Sequence, residues 1–118
     1  TASGLQYEIL RLGMRGVKAE KEYVVTIHYQ ASFINGEVYD SSIEKEPVSF
    51  PLNAPNGTIR GLHEGIELMS IGDQYKFYIP ANLAYGNSSP EGSPIPPGST
   101  LVFVIELTNL ATIEGTQL

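Results

Sequence analysis

The run Tyr23-Val-Val-Thr-Ile-His-Tyr-Gln-Ala-Ser-Phe33 constrains the fold of this chain more than any other stretch. In an extended backbone Val25, Ile27, Tyr29, Ala31 and Phe33 share one face, and Thr26, His28, Gln30 and Ser32 share the other. A helix would scatter the same apolar residues around its axis, so the alternation predicts a long strand with one buried face. Asn35-Gly36 follows directly. That pair is the strongest short hairpin signal available, and it predicts that residues 37–40 return antiparallel.

Period two governs most of what remains. Leu5, Tyr7 and Ile9 share a face in residues 5–12, as in a half-buried strand, and the polar residues 13–22 read as a loop. Residues 47–52 give a short strand with Val48, Phe50 and Leu52 on one side, and Tyr75, Phe77 and Ile79 alternate again. Leu101, Phe103, Ile105 and Leu107 form the inward face of a last strand, with Val102 and Val104 predicting burial on both sides. Residues 111–118 carry no pattern. Only Ile59, Leu62, Ile66 and Met69 recur at helical spacing, after turn chemistry at 53–58 and before a stop signal at Gly72. The predicted architecture is α+β: a bent antiparallel sheet of five to six strands wrapped around one short helix. At 118 residues it fits a single domain with one core, spanning about 5–110 with a C-terminal tail at 111–118.

Composition removes several function classes. Seven basic against thirteen acidic residues give a net charge of −6, the wrong sign for binding phosphate backbones. There is no cysteine, which excludes disulfides, thiol catalysis and cysteine-bound zinc. No stretch approaches the roughly 18 apolar residues of a membrane span, and no signal peptide opens the chain. A start at Thr1-Ala-Ser-Gly rather than Met reads as a mature form or excised domain. His28 and His63 sit on unrelated elements without a carboxylate at metal-ligand spacing, so no metal is expected. No serine occupies a Gly-x-Ser-x-Gly elbow, and Gly57, Gly61 and Gly65 read as turn and close-packing residues rather than a phosphate loop. Asn56-Gly-Thr58 and Asn87-Ser-Ser89 match the glycosylation sequon, which matters only in a eukaryotic secretory protein.

Two features survive. Tyr29 faces inward with Asp40 at the end of the following hairpin strand, where a carboxylate can accept the bond that a buried hydroxyl needs. An ordinary core tyrosine with Asp40 as a strand-end cap fits the pattern equally. Tyr85-Gly86 leads into a proline-rich loop, and that loop feeds the strand carrying Phe103. The stretch reads as the wall of an apolar pocket with one hydroxyl on its rim. An enzyme built this way acts through shape, desolvation and a hydrogen bond or two.

The order of segments resembles the FKBP-type peptidyl-prolyl cis-trans isomerases over roughly residues 5–110. Val25-Thr-Ile-His-Tyr29, Gly36-Glu-Val-Tyr-Asp-Ser-Ser42, Ile59-Arg-Gly-Leu-His-Glu-Gly65 and Met69-Ser-Ile-Gly72 carry it. Leu83-Ala-Tyr-Gly86 and Ile95-Pro-Pro-Gly-Ser-Thr-Leu-Val-Phe103 complete it. The opening Thr-Ala-Ser-Gly-Leu-Gln-Tyr7 is similar to the entry into the catalytic domain of the bacterial macrophage infectivity potentiator branch, periplasmic or surface-exposed proteins in which a helical dimerisation segment precedes that domain. A cytoplasmic location is the alternative. The resemblance implies catalytic roles for Tyr29, Asp40, Tyr85 and Phe103. It implies a substrate-binding wall of Tyr39, Val48, Phe50, Thr58, Ile59, Leu62 and Ile95, with no cofactor and no metal. Leu62 stands where the family has tryptophan, Val48 where it is aromatic, and Tyr39 replaces a phenylalanine. Weakened binding of macrolide inhibitors is expected. The implied partners are proline-containing unfolded or partly folded proteins. An isomerase, an FKBP-like peptide-binding or chaperone module, and a purely structural domain are the competing readings. Loss of the Tyr29 or Asp40 side chain is expected to lower turnover more than stability, and activity to depend little on pH near neutrality.

Overall fold

The computed structural model describes residues 3–13, 18–20, 22–42, 45–52, 59–84, 86, 98–112 and 114–115. In chain order these form β1 (Gln6–Arg11), β2 (Tyr23–Phe33), β3 (Val38–Ser41), β4 (Val48–Pro51), α1 (Arg60–Ile66), β5 (Gln74–Ile79) and β6 (Leu101–Thr112), with a 3-10 turn at Ala81–Leu83. The strands build one antiparallel sheet in the order β1-β5-β6-β2-β3, and β4 also pairs with β2.

The alternating run is the spine. β2 pairs with β6 along one edge from Tyr23 to Phe33, while its other edge is shared between β4 (at Val24–Ile27) and β3 (at Gln30–Ser32). Val25, Ile27 and Ala31 are buried on the inner face as the alternation predicts, next to Ile105, Leu107 and Leu110 of β6. The hairpin closes at Asn35-Gly36: Gly36 N–H donates to Phe33 O at 2.9 Å and Phe33 N–H to Glu37 O at 2.9 Å.

The helix lies across the inner face by virtue of two glycines. A Cβ at Gly61 would stand 2.5 Å from Ile79 Cγ2, and one at Gly65 would stand 2.7 Å from the Phe77 ring. Any larger residue would lift α1 off β5, so both positions are close-packing glycines, as read; Gly57 lies outside the described residues. The helix is shorter than its apolar spacing predicts. Leu68 N–H reaches Gly65 O and Met69 N–H reaches Ile66 O, bonds three residues apart that tighten and end the helix. Met69 is fully buried by this turn, with its carbonyl accepting from Ala19 N–H, rather than by a third helical turn. Gly72 therefore belongs to the entry into β5, where its N–H donates to Leu107 O at 2.8 Å. The same turn is stapled by Asp73. This fully buried carboxylate accepts from Gly13 N–H at 2.8 Å and Ser70 N–H at 2.9 Å.

Two other expectations change. Tyr7 and Ile9 face the helix side, opposite Phe77 and Tyr75, but are 43% and 49% exposed because β1 is the sheet edge. Only Leu5 of that trio is buried. β6 runs on to Thr112, beyond the patternless start expected at residue 111. Its register slips opposite Thr26 and Ile27, where Asn109 and Leu107 are the partners. Thr108 is thus an extra residue, and Leu110 rather than Thr108 or Asn109 continues the buried face. On the outer face Val102 is buried and Val104 half-buried, so burial on both sides holds fully for one of the two.

Candidate active site

The bent sheet and α1 leave a cavity of about 210 Å³ at the β3–β4 edge of β2. At about 30 Å³ per water it has the volume of about seven waters, enough for one proline with its preceding carbonyl. Most of its lining is apolar. Ile27 and Ala31 come from β2, Phe103 from β6, Leu62 from α1, Ile59 from the residue capping α1, and Val48 and Phe50 from β4. Ala31 sits directly opposite Phe103, and this small residue beside a large one opens the space.

Polar groups enter from one side only. Tyr29 Oη donates to Asp40 Oδ2 at 2.7 Å, and the Tyr29 ring lies 6.3 Å from that of Phe103. A carboxylate acceptor and partial burial push the Tyr29 hydroxyl up to about 12, burial being the larger cause and the Asp40 hydrogen bond the next. It is a proton donor at any ordinary pH. Its backbone is fixed as well, since Tyr29 N–H donates to Ser42 Oγ at 2.7 Å and Tyr29 O accepts from Ser42 N–H at 2.9 Å.

Consecutive residues of a regular strand point to opposite faces, yet Tyr39 and Asp40 both line the cavity. The register explains this. Ala31 pairs with Asp40 but Ser32 pairs with Val38, so Tyr39 is the extra residue of a β-bulge. Bulges re-aim side chains beside sites, and this one turns a ring and a carboxylate the same way. Phe33 stacks on the Tyr39 ring at 4.8 Å and backs it from outside.

Comparison with known proteins gives this arrangement a context. A sequence model described as FKBP-type peptidyl-prolyl cis-trans isomerase matches residues 16–108. The chain belongs to that family. It is 42% identical over 108 residues, 91% of this chain and 38% of the relative, to the FKBP-type peptidyl-prolyl cis-trans isomerase FkpA of Aeromonas hydrophila. The FKBP-type 22 kDa peptidyl-prolyl cis-trans isomerase of Escherichia coli is 40% identical over 93% of this chain and 52% of its own length. The outer membrane protein MIP of Legionella longbeachae is 38% identical over 92% of this chain and 45% of its own length. The crystal structure of FkpA from Escherichia coli superposes with a TM-score of 0.84 at 35% identity, covering 95% of this chain and 50% of that one. The chain therefore spans about half the length of the relatives it matches.

For an FKBP-type domain, the cavity gathers eight of the expected site residues: Tyr29, Tyr39, Asp40, Val48, Phe50, Ile59, Leu62 and Phe103. Tyr85, Thr58 and Ile95 lie outside the described residues, as do both sequons. The floor is Leu62, 5% exposed, and Val48 at the rim is 39% exposed, so the two departures from the family's aromatic pattern sit at opposite depths of one wall.

Sequence reasoning did not single out Ile27, Ala31, Ser42 or His63 as parts of this site. Ile27 and Ala31 were legible as inward residues of β2. Ser42 stood only at the end of the quoted Gly36–Ser42 segment. His63 was weighed only as a metal ligand, and nothing in the sequence pointed to a place behind the cavity wall. It packs instead with its ring nearly parallel to Phe50, at 19° and 6.4 Å between centroids. Among the described residues no group of three His, Cys, Asp or Glu side chains is placed to hold a metal ion. No helix among them is long and apolar enough to cross a membrane.

Proposed function

We propose that this FKBP-type domain accelerates cis–trans rotation of Xaa-Pro bonds in unfolded or partly folded proteins, without a cofactor. The observation that carries the reading is the Tyr29–Asp40 pair set at the mouth of an otherwise apolar cavity. A planar amide resists rotation by about 18–20 kcal/mol because twisting removes its resonance. The twisted form is less polar at the carbonyl, so an apolar pocket disfavours it less than it disfavours the planar, hydrated amide. That is differential binding of the transition state. Tyr29, Tyr39 and Phe103 surround the carbonyl preceding proline, with Asp40 holding Tyr29 in place. Ile59 caps α1 and so has an N–H that the helix itself leaves unused; it is the donor we assign, with Tyr85, to the flanking substrate carbonyls. Leu62, Phe50, Val48, Thr58 and Ile95 form the wall against the ring. Apart from the Asp40 carboxylate that accepts the Tyr29 bond, no group here needs a charge.

We assign the chain one domain and a place in the bacterial cell envelope, a location supported by the relative named as an outer membrane protein. The same reading includes weakened macrolide binding and dimerisation of the full-length protein through a segment outside this chain. A peptide-holding module with little catalysis is the second reading, favoured by the aliphatic floor at Leu62 and the open rim at Val48.

A protease-coupled isomerisation assay on short Xaa-Pro peptides separates the two. Wild type is expected to accelerate exchange, with Asp40→Ala and Tyr85→Phe slower. Exchange at the uncatalysed rate from a folded wild type, with the peptide nonetheless bound, establishes the holding module instead.

A further inference from the structure

Among the described residues, His63 is the one titratable side chain behind the cavity wall that the isomerase reading leaves unused. It projects from α1 next to Leu62, the cavity floor, and its ring lies along Phe50, which lines the cavity from β4. Its Nε2 is buried and has no hydrogen-bond partner among the described residues. An imidazole so placed is accommodated as a neutral ring, whichever nitrogen carries its one proton; a second proton would put a positive charge against Phe50, with no acceptor for Nε2 among the described residues.

The surroundings offer little compensation. Burial holds the imidazole below its ordinary value, and it outweighs the attraction of Glu67, the residue capping the end of α1 and the one charged group among the described residues that acts on His63 appreciably. Of the other ionisable residues of α1 and the turn after it, Arg60 is exposed and Glu64 accepts a hydrogen bond from Ser3 Oγ at 2.7 Å. β4 contains no ionisable residue, and neither does the stretch 53–58 joining it to α1. On β2, which pairs with β4, His28 is engaged with Ser42 and Tyr29 with Asp40. Among the described residues no carboxylate accepts a hydrogen bond from Nε2.

We propose that His63 is a positioning residue: its neutral ring buttresses Phe50 and so sets the shape of the proline wall, and its protonation releases that wall. The inference rests on the isomerase reading of the cavity. In acid the ring must leave its site to reach water, Phe50 loses its backing, and the substrate ring is gripped less well. Rotation of bound peptide makes no use of His63, so the loss appears as weaker binding rather than slower rotation of bound peptide. Folding stability follows the same sign. With a folded value below the unfolded 6.5, the contribution of His63 is complete above pH 6.5 and declines as pH falls below it.

The test is a pH profile from 8 to 5 on Xaa-Pro peptides, with KM and kcat separated, for wild type, His63→Phe and Glu67→Gln. For wild type kcat/KM is expected to fall about fivefold through one titration centred below pH 6.5, mainly through KM. His63→Phe keeps a ring against Phe50 and cannot titrate, so its profile is expected to be flat. Glu67→Gln is expected to move the descent to lower pH. His28→Asn, which removes the other histidine, is expected to retain the descent. A His63→Phe profile superimposed on wild type overturns the proposal, as does a descent that vanishes in His28→Asn. Should His63→Phe fail to fold, His63→Gln serves as the second non-titrating variant. An NMR titration of the wild-type His63 ring protons, followed together with the Phe50 ring signals, needs no catalysis. Concerted movement of both below pH 6.5 supports the coupling even where the isomerase assay fails, and independent titration overturns it.

Discussion

The two walls of the cavity are held by different forces. The β2–β3 wall is fixed by directed bonds: Tyr29 to Asp40, the Tyr29 backbone to Ser42, and a bulge that turns Tyr39 inward. Asp40 is exposed, so little of that wall belongs to the core. The β4–α1 wall is held by packing. Leu62 is part of the buried cluster that includes Ile66, Phe77 and Ile79, and Phe50 rests on that cluster and on His63. Groups that act on the substrate through a hydrogen bond can thus be changed without disturbing the fold, whereas groups that grip it by shape cannot. The separation of chemistry from stability is built into which strand each residue comes from.

The largest expected effect breaks the packed wall. Leu62→Ala removes buried methyl groups from a floor that is already beside a cavity, and it should cost about 2–4 kcal/mol of stability in urea unfolding. A cost under about 1 kcal/mol would mean that the helix settles into the space, and that this wall is no part of the core. On the bonded wall, Asp40→Ala should lower kcat/KM about 10–30-fold, the worth of about 1.5–2 kcal/mol for a hydrogen bond to a charged group. Its stability should change by less than about 0.5 kcal/mol, as for most exposed substitutions. Equal losses in both would make Tyr29–Asp40 an ordinary core contact and erase the distinction between the walls.

The same contrast explains what was legible beforehand. Period two in β2 and β5 reports a regular pleat, and there the buried face was read residue by residue: Val25, Ile27 and Ala31, then Tyr75, Phe77 and Ile79. Where an extra residue enters, at Tyr39, at Thr108 and between Ile9 and Arg11, the period is lost and local sequence has no means of restoring it. Placing both Tyr39 and Asp40 in one site therefore depended on family resemblance, because alternation alone puts them on opposite faces. The end of α1 was missed for a related reason. Met69 keeps the helical spacing while the backbone has already turned, and only the contact with Ala19 shows why it is buried. From Tyr7 to Ile9, ahead of its bulge, β1 keeps its period without its burial, since exposure there depends on standing at the sheet edge.

A smaller effect sharpens the bonded wall through pH. The Tyr29 hydroxyl stays protonated in the folded protein until about pH 12, against 10 in the unfolded chain. Its contribution to stability is complete below pH 10 and is lost as pH rises from 10 towards 12. Urea unfolding at pH 9 and pH 11 should therefore show a larger loss for wild type than for Tyr29→Phe, which removes that hydroxyl and leaves the other tyrosines in both proteins. Equal losses would mean that neither the partial burial of the hydroxyl nor its Asp40 bond is kept in solution.

The smallest expected effect tests whether the packed wall can be improved without touching the core. Val48 is 39% exposed at the rim and pairs with Ile27 across β2, so a larger side chain there has open space above it rather than neighbours to displace. Val48→Phe should add one ring contact to whatever occupies the cavity, worth about 0.5–1.5 kcal/mol. Binding of a macrolide inhibitor, measured by calorimetry, should tighten about 3–10-fold by that amount, with stability unchanged. Leu62→Trp lies at the other depth of the same wall, 5% exposed, and a bulkier ring there must push on Ile66 and Phe77. It should gain affinity only at the expense of stability. If Val48→Phe destabilises as much as Leu62→Trp, the rim is coupled to the core after all. If only the floor variant destabilises, the wall is graded from a rim free to vary towards a floor that the fold holds fixed.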